Sequence, residues 1–130
     1  MTLHTVTTGQ IEDTISKMVT KFYAETLGHG PKQTRVYILA DMVIIRLTGR
    51  LLPIEEKLLE GKEGVGLVKN IRETLHEILT KNLSLLVTQI THHQVISSHS
   101  DISTKTGEMI EVFILDTNYQ QELIPTHNHR

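Results

Sequence analysis

The 130-residue chain contains no cysteine. That single absence removes disulfides, thiolate metal sites, iron–sulfur clusters and cysteine nucleophiles together. It suits a reducing compartment, and a cytoplasmic location is the expectation. Aromatic residues are scarce, two Phe and three Tyr. A stacking platform for nucleic acid is therefore poorly supported, although Lys32, Arg35, Arg46 and Arg50 outnumber Asp41 across residues 28 to 50 and Tyr37 lies among them. Neither sign of charge is in excess: the formal net charge is −2, which leaves no electrostatic footprint of a nucleic-acid or membrane binder. Long apolar runs are missing too. Asp41 and Arg46 interrupt the most apolar stretches, and nothing approaches the ~20 residues of a membrane span. The opening MTLHTVTTGQ lacks a basic region followed by an apolar one, so no signal peptide is expected.

Catalytic signatures are also lacking. There is no G-x-S-x-G elbow and no H-E-x-x-H pair. The glycine-rich GKEGVG (61–66) has the wrong order for a phosphate loop. Ser97, Ser98 and Ser100 flank His99, but neighbours along a strand point to opposite faces. The eight histidines invite a metal reading. His99 and Asp101 sit two apart, on one face of a strand, with His92 and His93 near its start; a three-ligand zinc enzyme is the least favoured alternative. Surface or interface histidines account for them more simply, so no metal and no cofactor is expected. His127 and His129 fall in a tail expected to be loose.

What is present reads as an α+β domain. Ile11, Ile15, Met18, Val19, Phe22 and Leu27 form one face of a helix over 10–27. Thr8 is the expected N-cap, with Glu12 and Asp13 in the early turns. Gly28-His29-Gly30-Pro31 follows. A glycine there can take the left-handed position that ends a helix, and Pro31 forbids continuation. The competing reading is a backbone nest for an anion, with His29 and Lys32 beside it. Residues 34–40 and 42–49 form a hairpin about Ala40-Asp41. PIEEKLLEG (53–61) starts a short helix with proline at its first position. From Val65 to Ile90 the spacing is helical again, through Val68, Ile71, Leu75, Ile78, Leu79 and Leu86. An unbroken helix there would span about 40 Å, against a radius of gyration near 14 Å for such a domain. It must break near Lys81-Asn82, or project and pair with another subunit. Residues 94–102 and 109–115 form a second hairpin with Gly107 in its turn. The expected fold is an antiparallel four-stranded sheet from two hairpins, helices on one face, in the order α-ββ-αα(α)-ββ. It forms a single domain, 1–130, with its core in about 10–116 and a flexible tail from 117.

Alternation assigns the faces. Val36, Ile38, Val43, Ile45 and Leu47 belong to the core side, and Ile96, Ile102, Ile110, Val112 and Ile114 are matched to them. The opposite face collects Arg35, Tyr37, Leu39, Met42, Ile44 and Arg46 with Ser97, His99, Asp101, Glu111 and Phe113. That mixture suits an interface or a shallow ligand surface. Arg35 lies opposite or diagonal to Arg46, and like charges so placed destabilise a hairpin unless something neutralises them. Glu111 and Asp101, a bound anion, or a partner's carboxylates could do so.

GHGP (28–31), VYI (36–38), DMVIIRLTG (41–49), PIEEKLL (53–59), SDIS (100–103) and VFILD (112–116), in this order and spacing, resemble the MpsC family of bacterial domains. The resemblance covers most of residues 10 to 116. It implies a cytoplasmic accessory role near a membrane cation-translocating system related to inorganic-carbon uptake, and it supplies no catalytic residues. The expectation is therefore a non-catalytic accessory or regulatory homodimer without nucleic acid or transmembrane segment. Arg35, Tyr37, Arg46, His99, Asp101 and Glu111 are its candidate binding residues, and Gly28, His29, Gly30 and Pro31 its candidate loop. A small-anion sensor on the Arg35/Arg46 face is the alternative.

Overall fold

The structure, a computed structural model, describes residues 6–49 and 52–125. Helix α1 (Thr8–Leu27) opens with a capping box. The Thr7 hydroxyl accepts the Gln10 N–H at 3.1 Å, and the Gln10 side chain accepts the Thr7 N–H at 2.9 Å. The cap is thus Thr7 and not Thr8, whose N–H is directed instead to the Ile124 carbonyl. The helix stops at Gly28, which is left-handed at φ 87° and sends its N–H to Ala24 O at 3.1 Å. Ile15, Val19 and Tyr23 are its buried apolar face.

Strands β1 (Gln33–Leu39) and β2 (Met42–Thr48) pair in the expected register, with Val36 against Ile45 and Ile38 against Val43. Helix α2 (Pro53–Leu58) leads to α3 (Gly64–Thr91), and β3 (Val95–Ile102) and β4 (Met109–Leu115) close the sheet. All pairings are antiparallel, in the order β1-β2-β4-β3. The fold is α+β, with the helices packed on one face of this sheet. Its core joins Ile15, Val19 and Tyr23 of α1 and Leu79, Leu83 and Val87 of α3 to the inward side chains of the sheet.

A polar stripe on α1 serves the free edge of β1. The buried Glu12 carboxylate accepts the Ile38 N–H at 2.8 Å, the Ser16 hydroxyl donates to Thr34 O at 3.2 Å, and the Thr20 and Thr34 hydroxyls meet at 2.7 Å. Glu12 therefore works on the sheet rather than on its own helix dipole, and the covered edge cannot template another strand.

Three further expectations need correction. First, α3 does not break near Lys81-Asn82: its 28 residues run unbroken, about 42 Å at 1.5 Å per residue. Second, β4 is inverted relative to its expected phase. Ile45 pairs with Glu111 and Val43 with Phe113, and directly opposed residues share a face. Glu111, Phe113 and Leu115 therefore point into the core, while Ile110, Val112 and Ile114 point outward. Ile96 is exposed because the β3–β4 register shifts between Val95 and Ser97. Third, the tail is not loose from residue 117. A 3₁₀ turn (Tyr119–Glu122) places Tyr119 in the core, Leu123 follows it there, and Ile124 bridges to Thr7.

Candidate functional site

The register sets the outer sheet face in transverse rows. One runs Arg35, Arg46, Ile110, Asp101, and the next Tyr37, Ile44, Val112, His99. Five of the six expected binding residues share this face; the sixth, Glu111, is on the other side. Arg35 and Arg46 are direct cross-strand partners. Arg46 is held by Glu108, whose hydrogen bond to it raises the guanidinium's pKa, and not by Glu111 or Asp101. Asp101 turns to Lys69 at 3.6 Å; the Ile102 N–H first, and then the Lys69 charge, hold its carboxyl below the usual range. Arg35 pairs with no carboxylate among the described residues. Leu39 is 52% exposed and Ile110 40%, so the face is apolar between its charges.

The histidines are dispersed. Among the described residues no three His, Asp or Glu side chains converge on a metal position. His92 occupies the left-handed cap of α3 at φ 64°. His93 ties down the 3₁₀ turn after β4: it lies 3.4 Å from Asp116 and 2.9 Å from Glu122, edge-on to Tyr119. His127, His129 and Arg50 fall outside the described residues.

A second feature lies on the core side. A cavity of about 180 Å³ opens between α1, α2, α3 and the ends of β2 and β4. His29, Gly30 and Pro31 line its mouth, so the loop after α1 both stops a helix and edges a cavity. Tyr23, Glu55, Arg72 and His76 are among its polar groups; Leu27, Leu47, Leu75, Leu79 and Met109 are among its apolar ones. Behind it stands Glu111, 1% exposed. The Tyr23 hydroxyl donates to its Oε2 at 2.8 Å. His76 Nδ1 lies 3.0 Å from Oε1, within ion-pair range, yet the two are out of line for a hydrogen bond, and neither has an aligned partner among the described residues. His76 Nε2 is 3.0 Å from the Thr80 hydroxyl.

The electrostatics follow from burial and neighbours. Burial first, and then the Glu111 carboxylate, push the Tyr23 phenol far above its ordinary pKa, so it is a hydrogen-bond donor and not a base. Contact with Glu111 raises His76 against the opposing effect of burial. At the rim, Arg72 donates to Glu55 from Nε at 2.9 Å and Nη2 at 2.7 Å, and Glu55 also accepts the Leu52 N–H at 2.8 Å. Burial alone would raise Glu55; the Arg72 and Leu52 hydrogen bonds and the Arg72 charge outweigh it and hold the carboxyl below its ordinary value. These groups can bind and orient, and the hydroxyl nearest His76 is that of Thr80, on the next turn of the same helix.

A family model described as the Na+-translocating membrane potential-generating system (MpsC) matches residues 7–117. The chain belongs to the MpsC family. The chain is also 36% identical over 115 residues to a Bacillus subtilis (strain 168) protein named "Uncharacterized protein YbcI", covering 88% of this chain and 93% of the relative. No solved structure matches this MpsC chain. The match spans the sheet, the helices and every cavity residue named above. No helix among the described residues is long and apolar enough to cross a membrane. Tyr23, Glu55, Arg72 and His76 were not singled out from the sequence. Their one local signal is a titratable group set among apolar helix or strand positions, as in Leu75-His76 and Ile110-Glu111-Val112.

Proposed function

We propose that this MpsC-family chain is a non-catalytic accessory or regulatory subunit of a membrane cation-translocating system related to inorganic-carbon uptake. It works as a cytoplasmic homodimer and docks through the outer face of its sheet. The observation that carries the reading is that face: half-apolar, uncovered by any helix among the described residues, and holding Arg35, which pairs with no carboxylate among them, directly beside Arg46. Uncompensated positive charge within an apolar surface calls for an acidic, partly apolar partner, here a cytoplasmic segment of the membrane protein. The family's description as a Na+-translocating system supports that choice of partner.

The test is recovery of membrane proteins on the tagged chain from detergent extracts of its own host. Leu39→Glu and Arg35→Glu lie on exposed outer positions and should abolish recovery while leaving the melting temperature within a few degrees. Equal recovery by both variants would refute docking through this face. Arg35 also supports a second reading, a small-anion sensor, because the paired cations lie on an open surface. Glu108 already occupies Arg46, which makes this reading the weaker one. Stabilisation by bicarbonate or phosphate, lost in Arg35→Ala, would favour it.

A further inference from the structure

The cavity beneath Tyr23 has about 180 Å³. An engineered apolar cavity of about 150 Å³ admits benzene, so this one has room for a six-membered ring and one substituent. We propose that it binds a small uncharged molecule with an apolar body and one hydroxyl group. The inference goes beyond partner docking, which uses the opposite face of the sheet, and does not depend on it.

The charges at the site argue for a neutral occupant. Arg72 directs Nε and Nη2 into Glu55, and His76 stands 3.0 Å from Glu111. Each charge already has its counter-charge. An ion entering among Leu47, Leu75, Leu79 and Met109 would lose its hydration and gain no partner. A neutral ring loses little hydration and gains van der Waals contact with these apolar side chains.

The polar wall argues for a hydroxyl. Tyr23 lines the cavity and gives its one proton to the buried Glu111 at 2.8 Å. Its oxygen retains lone pairs, so it accepts a hydrogen bond but has none left to donate. A ligand O–H matches that need, and a carbonyl does not. The wall is also rigidly supported, because Glu111 is 1% exposed and Tyr23 is buried in the core cluster. Gly30 and Pro31 come from the loop after α1, Glu55 from α2 and Leu75 from α3. A bound ring therefore touches three separate segments of the chain, and binding should stabilise their arrangement.

The probes are phenol and cyclohexanol, with benzoate and cyclohexylammonium as charged counterparts and toluene as the counterpart without a donor. Binding is read from the methyl resonance of Met109, which lines the cavity, with Met18 and Met42, which do not, as internal controls. The alcohols should shift Met109 saturably and raise the melting temperature. The charged probes should bind at least about tenfold more weakly, which corresponds to 1.4 kcal/mol. Leu75→Trp at the part-exposed rim should fill the cavity and abolish the shift while the control methyls stay in place. Should that variant misfold, Tyr23→Phe provides the second arm: the preference for phenol over toluene should collapse. Tight binding of either ion, no saturable Met109 shift with either alcohol, or an unchanged phenol-to-toluene ratio in Tyr23→Phe would each overturn the proposal.

Discussion

Tyr23 and Glu111 are 88 positions apart and meet at 2.8 Å in the interior, the phenol donating to the carboxylate. A buried acceptor left without its donor costs about 1–3 kcal/mol. Tyr23→Phe should therefore lower the unfolding free energy by that amount in urea titrations. Glu111→Leu removes the acceptor from the same contact. The double variant should cost clearly less than the two singles added, because two apolar groups leave nothing unsatisfied between them. Strict additivity would show that the pair does not interact energetically.

His76 links stability to pH. Its folded pKa is raised by Glu111 above the unfolded value, which is about 6.5. A raised pKa means the folded state holds the proton more tightly. The stabilisation is complete below about pH 6.5 and is lost as pH rises through the higher folded value. Denaturant titrations from pH 5.5 to 9 should show this decline in the parent protein and a flatter profile in His76→Gln. Parallel profiles would remove His76 from the linkage. Glu55 acts in the opposite direction and in another window, losing its contribution only as pH falls below the ordinary carboxylate range.

Two glycines at the start of α3 should respond oppositely to alanine. A β-carbon on Gly64 would fall 1.5 Å from the Leu58 carbonyl oxygen, so the α2–α3 junction must shift. Gly64→Ala should cost about 1–3 kcal/mol, the range for forced overpacking. Gly66 has nothing within 4 Å. As an exposed helical glycine, its replacement by alanine should stabilise by about 0.5–1 kcal/mol. Thermal unfolding of the two variants distinguishes them directly.

The long helix carries the dimer prediction. Ile71, Ile78 and Leu85 are exposed at seven-residue spacing along α3, Ile78 at 65%. A seven-residue apolar repeat is the seam of a helix pair. Light scattering at micromolar concentration should give twice the 14.8 kDa chain mass. Ile78→Glu should halve it without unfolding the protein. A single-chain mass for the unmodified protein would end the dimer reading.

The local signals in the sequence carried much of the fold. Gly28 and Pro31 mark the end of α1, Pro53 opens α2, and the Ala40-Asp41 turn sets Val36 against Ile45, because each depends on residues close in the chain. The phase of β4 was not legible. Both of its faces are largely apolar, and Glu111 argues against the correct one unless Tyr23 and His76 are known to meet it. The outer-face residues Arg35, Tyr37, Arg46, His99 and Asp101 could be grouped from alternation alone. The cavity could not, since its walls come from α1, α2, α3 and two strands, and no local pattern records how distant segments converge. Nor did periodicity decide between a broken and a continuous α3, because both show the same apolar spacing.

Helix α3 is far longer than the sheet it crosses: about 42 Å against about 23 Å for a seven-residue strand. Leu79, Leu83 and Val87 anchor its second half in the core, whereas Val68 in its first half is buried outside that cluster. The first half is held at its surface by the Arg72–Glu55 clasp to α2, by Lys69 beside Asp101 and by His76 beside Glu111. The two halves should then open separately, with amide hydrogens of residues 67–74 exchanging well before those of residues 79–90. Arg72 itself lies within that first half, so its early opening would part the cavity's rim while the protein remains folded.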